Sequence, residues 1–236
     1  LNVRDSWSAN SESYGMLKYG TAVTVTGKCS NGWMRIQFEG HIAYVSGEYL
    51  SETSGGSGGT TIIGSGTALD SARLQYQLSD QLKINRRSLT AYLLGEHGDS
   101  SMIPWSHVTV AGKKLDELLA EKPELYKMDP KDVILEKVHR EGYVENTTKG
   151  CTEFGVTSAT AELVRAIYHN EHKVLPVSVY LDGPYGIKDS FASVPVKIGK
   201  DGVEDIIELH LTDEENAELQ ASIKVLKKHF ERALTL

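Results

Sequence analysis

The stretch Ser51-Glu52-Thr53-Ser54-Gly55-Gly56-Ser57-Gly58-Gly59-Thr60 forbids a single continuous fold for this 236-residue chain. It offers no side chain that could join a hydrophobic core, and a glycine- and serine-rich backbone of this length behaves as a flexible coil with a reach of roughly 17 Å r.m.s.. The sequence on either side follows different periods. Before it, apolar and polar residues alternate in short runs bounded by turn residues; after it, helical periodicity enters and strands alternate with helices. The expected divisions are residues 1–51, a linker at 52–60 and residues 61–236. Charge divides in the same way. Arg4, Lys18, Lys28 and Arg35 balance Asp5, Glu12, Glu39 and Glu48 in residues 1–50, so the whole formal charge of −7 is carried later.

In the first segment the alternation runs through residues 21–26, 33–38 and 41–45, with Asn31-Gly32 and Glu39-Gly40 placed as tight turns. This pattern predicts a small all-β barrel. The details resemble a bacterial Src-homology-3 domain: Leu1-Asn2-Val3-Arg4 at the start, Gly15 to Gly20 before the second strand, Asn31-Gly32-Trp33, and Gly40-His41-Ile42-Ala43-Tyr44-Val45 followed by Tyr49-Leu50. The resemblance implies binding of cell-wall peptide or glycan through an aromatic groove, with Trp7, Tyr14, Trp33 and Tyr44 as its candidates. Trp33 and Tyr44 equally read as core aromatics. Ala43 stands where many members have glycine.

The second segment predicts a strand at 61–63, a turn at Gly64-Ser65-Gly66, and a helix over 69–82 with Leu69, Ala72, Tyr76 and Leu82 on its apolar face. A buried strand at 89–94 follows, then a helix at 115–122 and another opened by Asp129 as cap and Pro130 as first residue. A helix over 155–172, strands at 174–181, 194–198 and 206–211, and a turn at Lys200-Asp201-Gly202 complete the middle. Thr212 and Glu215 form a capping box for a last helix with Leu219, Ile223, Leu226, Phe230 and Leu234 on one face.

The chemistry concentrates at Gly95-Glu96-His97-Gly98-Asp99-Ser100, read with Asp70 and Arg73. Asp70 and Arg73 are three apart on one helix and so share a face, which by itself describes an ordinary helical ion pair. With His97 in a glycine-flanked loop the set acquires a purpose. A carboxylate bonded to imidazole fixes its tautomer and stabilises its charged form, and a guanidinium clamps a carboxylate in a bidentate fork. Gly64-Ser65-Gly66 fails as a dinucleotide fingerprint, because the third glycine would fall at Leu69. It reads as a plain turn. His107, His139, His169, His172, His210 and His229 show no ligand spacing and read as ordinary surface or core residues.

Residues 60–236 resemble the carboxy-terminal part of an L-lactate dehydrogenase, through residues 63–73, Gly95-Glu96-His97-Gly98-Asp99-Ser100, Trp105-Ser106, Lys149-Gly150-Cys151-Thr152 and Val194-Pro195. The fold implied is two modules, the all-β barrel and an α+β substrate domain, with no complete Rossmann domain. The resemblance implies His97 as proton donor and acceptor at the C2 oxygen of a small 2-oxo or 2-hydroxy acid, Asp70 as its partner, Arg73 as the carboxylate clamp, Thr152 as a pocket wall and Val156 as an apolar contact to the nicotinamide of NAD. Activated members carry an arginine and a histidine where this chain has Gln75 and Thr90, so no sugar-bisphosphate activation is expected.

The family's cofactor domain and its arginine-bearing closing loop are missing, so half a site is expected to bind no cofactor stably and to give little or no turnover alone. The glycine/serine joint between two unrelated patterns reads as an engineered fusion, and Leu1 in place of Met as a trimmed start. Three functions are weighed: a fusion of a binding module with an inactive half-enzyme, a dehydrogenase completed by another chain, and a cell-wall binding protein. The second module implies a cytoplasmic origin and the first an extracellular or cell-wall one. Self-association through apolar faces is expected. The acidic balance excludes a nucleic-acid partner, no apolar run reaches a membrane span, and Cys29 and Cys151 are too few for a metal site or disulfide framework.

Overall fold

The computed structural model describes residues 1–18, 21, 23–50 and 62–233. The expected linker at 52–60, Thr61, Gly20, Ala22 and Leu234 lie outside the described residues. The chain divides into two units, Leu1–Thr61 and Ile62–Leu236.

The first unit is a five-stranded antiparallel sheet built from β1 (Asn2–Arg4), β2 (Ser13–Met16), β3 (Val25–Lys28), β4 (Trp33–Phe38) and β5 (His41–Ser46). Their order is β2-β1-β5-β4-β3. Val3, Ile36, Ala43 and Val45 are fully buried at its centre, as alternation in β4 and β5 dictates. Glu39 and Gly40 take φ of 48° and 83° between the paired Phe38 and His41, the two left-handed residues of a hairpin turn whose twist matches its strands. The strand expected at 21–26 instead runs at Val25–Lys28, with Thr26 bulged out of register opposite Arg35. The Arg35 guanidinium holds the bulge, donating to Thr26 O at 3.0 Å and Thr26 Oγ1 at 3.2 Å.

The second unit opens with α1 (Gly66–Leu82). A small ribbon follows, of β6 (Leu89–Thr90), β7 (Thr109–Val110) and β8 (Lys113–Lys114), and then the helices α2 (Leu115–Glu121), α3 (Lys131–Lys149) and α4 (Phe154–Tyr168). The antiparallel strands β9 (Lys173–Leu181), β10 (Ser190–Gly199) and β11 (Gly202–Ile206) form a sheet in the order β11-β10-β9, and α5 (Asp213–Ala233) closes the described chain. Two clusters fill the interior. Leu175, Val177, Val194, Val196 and Ile198 pack with Leu163 of α4 and Leu219 and Ile223 of α5, while Leu74, Leu78 and Leu82 of α1 pack with Ile134 and Val138 of α3.

Several expected elements are displaced, each for a local reason. The buried face of α1 is Thr67, Asp70, Ser71, Leu74, Leu78 and Leu82, and Tyr76 is 60% exposed. Two cores compete for this helix, and the leucine-rich one sets its rotation. Ile62-Ile63 forms no strand, only an isolated bridge from Gly64 to Ser178. Only Leu89–Thr90 of the run at 89–94 is laddered, although Ala91, Leu93 and Leu94 are buried. Pro130 caps α3 rather than opening it, and the Asp129 carboxylate is drawn off by Lys137 at 2.5 Å and Gln81 at 3.1 Å. The α4 helix stops at Tyr168, ahead of Asn170 and His172 at φ of 52° and 51°.

The strand expected at 206–211 lies earlier, at Gly202–Ile206, because Gly199 pairs directly with Gly202 across Lys200-Asp201. Beyond it the Tyr185 hydroxyl replaces a ladder partner, donating to Ile207 O and accepting from Leu209 N, both at 2.9 Å. The capping box forms as read: Glu215 N donates to Thr212 Oγ1 at 3.2 Å and Thr212 N to Glu215 Oε2 at 3.0 Å. Of the last helix's expected stripe, Leu219 and Ile223 are buried and Leu226 partly so, while Phe230 is exposed.

Candidate active site

The histidine loop is fixed at both ends by backbone pairing. Leu94 exchanges two hydrogen bonds with Met102, at 2.9 and 3.1 Å, and Gly95 exchanges two with Ser193, both at 2.9 Å. Gly95 has φ of 91° and lies so close to α5 that a Cβ there would run into Ser222. The buried Ser222 Oγ accepts from Glu96 N at 2.8 Å, and Ser100 Oγ donates to Glu96 Oε2 at 2.5 Å. These contacts leave the loop little freedom.

The Gly64–Ser178 bridge sets where α1 begins, and the His97 ring lies directly over Gly66 in its first turn. A Cβ on Gly66 would overlap that ring. His97 Nδ1 comes to 2.6 Å from Oδ2 of the buried Asp70. The Asp70 hydrogen bond raises the His97 pKa, burial and Arg73 oppose it, and the Asp70 and Glu96 charges add to the rise. Asp70 Oδ1 accepts from Arg73 Nη1 at 3.3 Å.

Arg73 is itself ringed by acid groups. Glu141 Oε2 lies 3.5 Å from Nε and Glu145 Oε2 lies 3.4 Å from Nη2, both from α3. The first of these is too poorly aligned for a hydrogen bond, and Nε is a buried donor without an acceptor. Gly142 leaves room for the guanidinium, since a Cβ there would already touch its Nη1 at 3.4 Å. Burial pushes the Glu141 carboxyl up, against the pull of Gln77 and Arg73.

Asp70, Arg73, His97 and Thr152 line one cleft of about 390 Å³ together with His139 and Asn146. The structure thus brings together four of the five residues expected here. Val156 does not line the cleft and is 37% exposed on α4. Sequence reasoning missed Gly66, Glu141, Glu145 and His139. His139, taken above for an ordinary residue, lies on the cleft wall with Nε2 at 2.8 Å from Ser101 Oγ. Its signal was the helical spacing of His139, Gly142, Tyr143 and Asn146, a stripe that leaves α3 without an apolar face there.

In the first unit the aromatic candidates separate. Trp7 and Tyr44 meet edge to face, ring centroids 5.6 Å apart, and line a cleft of about 330 Å³ with Lys28 and Arg35. Tyr14 lies instead beside His41, at 6.3 Å, and neither it nor the half-buried Trp33 lines that cleft. Among the described residues no group of three metal-ligating side chains converges, and no helix is long and apolar enough to cross a membrane.

An antiparallel sheet backed by helices, carrying an imidazole–carboxylate pair and a guanidinium in one cleft, defines the second unit as a substrate-domain fold of the dehydrogenase type. The chain belongs to the lactate/malate dehydrogenase family, whose alpha/beta C-terminal domain matches residues 67–236. A bacterial SH3 domain matches residues 1–51. The L-lactate dehydrogenase 2 of Bacillus cereus is 44% identical over 167 residues, covering 71% of this chain and 53% of the relative. A solved minor L-lactate dehydrogenase from Enterococcus mundtii, in a ligands-bound form, superposes with a TM-score of 0.67 at 39% identity, covering 71% of this chain and 53% of that one. A lactate dehydrogenase from a Medee basin deep-sea metagenome library gives 0.68 at 36% identity, covering 72% and 54%. The chain spans about half the length of the curated relatives it matches, and no dinucleotide-binding domain is covered.

Proposed function

We propose that residues 62–236 are the substrate-handling and proton-transfer half of an L-lactate dehydrogenase, acting on small 2-oxo and 2-hydroxy acids. The observation that carries this reading is the 2.6 Å contact of His97 Nδ1 with buried Asp70, in a cleft shared with Arg73 and Thr152. Asp70 holds the proton on Nδ1, which leaves Nε2 to give or take a proton at the C2 oxygen. Stabilised imidazolium suits that role, because a carbonyl about to receive hydride needs a donor in place. Arg73 faces the substrate carboxylate and so orients C2 toward His97.

NAD, implied by the family, would supply the hydride when bound. The residues present fit it only in part. Exposed Val156 offers an apolar wall for a nicotinamide, but the Gly64-Ser65-Gly66 turn lacks the third glycine of a pyrophosphate-binding fingerprint, Leu69 standing in its place. The chain alone is therefore proposed to hold NAD too weakly to turn over. NADH oxidation with pyruvate is expected to remain at the His97→Ala baseline for the chain alone. It is expected to rise by about 10²–10⁴-fold over that baseline when the cofactor half of a relative is added in trans. Turnover by the chain alone would overturn its inactivity, and a His97-independent rate with the added half would overturn the proton-transfer role. The expected self-association would rest on Phe154, Val164 and Tyr168, all exposed on α4.

A second reading concerns the first unit, where the Trp7–Tyr44 pair beside Lys28 and Arg35 favours binding of cell-wall peptide or glycan, the cations suiting peptide carboxylates. Peptidoglycan sedimentation should retain the full chain and lose Trp7→Ala by about tenfold in affinity. Equal retention of both would sink this role for the cleft.

A further inference from the structure

The three kinds of nitrogen on Arg73 each face a different carboxylate: Asp70 at Nη1, Glu141 at Nε and Glu145 at Nη2. The fork read above as a clamp for substrate is therefore already surrounded by acid groups belonging to the protein. These groups are not equally free to leave. Asp70 is 9% exposed and committed to His97, and Glu141 is 26% exposed and held by Gln77 Nε2 at 2.7 Å. Glu145 is 38% exposed, and its carboxylate meets Arg73 at 3.4 Å. It also sits one helical turn beyond Glu141 on α3, beside Asn146 of the cleft wall, so a rotamer change alone carries it off the guanidinium.

We propose that Glu145 is an internal competitor for the carboxylate-binding fork of Arg73 and thereby sets how strongly this site takes a monocarboxylate. The inference rests on reading Arg73 as the clamp. A substrate carboxylate enters by exchange with Glu145, so the charge around Arg73 stays constant instead of gaining a fourth anion. The departing glutamate returns to solvent, where its hydration offsets the lost ion pair. The buried, unsatisfied Nε is what this arrangement leaves: three carboxylates provide charge but not the coplanar, two-oxygen geometry that a single bound carboxylate supplies.

The test uses the full chain labelled with ¹⁵N, with the Arg73 Nε–H resonance assigned by its loss in Arg73→Lys. Pyruvate is titrated into the parent, Glu145→Gln and, as a control on the far side of α3, Glu136→Gln. Glu145→Gln keeps the shape and removes the charge. It is expected to bind pyruvate about tenfold more tightly, while Glu136→Gln matches the parent. Equal affinities in parent and Glu145→Gln, with the Arg73 signal still moving, would overturn the competitor and leave the clamp. An Arg73 signal that pyruvate does not move in any of the proteins would overturn the clamp, and the competitor with it.

Discussion

Gly66→Ala should destabilise the second unit by about 1–3 kcal/mol and uncouple His97 from Asp70. The same change at an ordinary helix position stabilises by about 1 kcal/mol, because alanine has the better helix propensity. The sign reverses here because the new methyl has no space: it would overlap the His97 ring. Neither partner can yield cheaply. Gly66 is the first residue of α1, whose start is set by the Gly64 bridge to Ser178, and the His97 loop is pinned at Leu94–Met102, Gly95–Ser193 and Glu96–Ser222. The ring itself is 55% exposed and must swing toward solvent, breaking its 2.6 Å contact with Asp70. Urea denaturation would measure the destabilisation, and a double-mutant cycle with Asp70→Asn would measure the uncoupling. In the parent background Asp70→Asn moves the His97 titration; in the Gly66→Ala background it should move it little. An additive cycle would mean that the ring holds its place despite the methyl.

The legible parts of this chain were those written in local spacing. Asp70 and Arg73 three apart, Thr212 and Glu215 three apart, and the left-handed pair Glu39-Gly40 each encode a contact within one turn, and each forms as the spacing requires. What spacing could not encode was competition between neighbours. The apolar face of α1 was misplaced because two separate cores pack against that helix, and Leu74, Leu78 and Leu82 outweigh Tyr76. The run at 206–211 is apolar enough for a strand, yet Tyr185, some twenty residues upstream, satisfies its backbone instead. In the site, His97, Asp70, Arg73 and Thr152 could be assembled from motif and resemblance. His139 lines the same cleft, and Glu141 and Glu145 meet Arg73, only because α3 lies along α1, a tertiary fact without a local signature.

Asp70→Asn should carry the His97 titration from above the ordinary histidine value of about 6.5 to below it. The direction follows from what is removed and what is left. The Asp70 hydrogen bond is the largest influence and, with the Asp70 charge, favours imidazolium; both vanish in the variant. Burial and the nearby Arg73 then oppose protonation, with only the weaker pull of Glu96 against them. Linkage fixes the sign of the pH dependence. In the parent the folded pKa lies above the unfolded one, so the contribution of His97 to stability is full below the unfolded value and is lost as pH rises through the folded value. In the variant the folded pKa lies below the unfolded one, and His97 opposes folding at low pH and ceases to do so as pH rises. The stability advantage of the parent should therefore be largest below the ordinary histidine value and narrow as pH rises through the folded His97 titration. NMR titration of the His97 ring together with urea midpoints at several pH values would read both. A variant whose His97 still titrates above the ordinary value would show that Asp70 is not what holds the proton, and the general-acid assignment of His97 would lose its support.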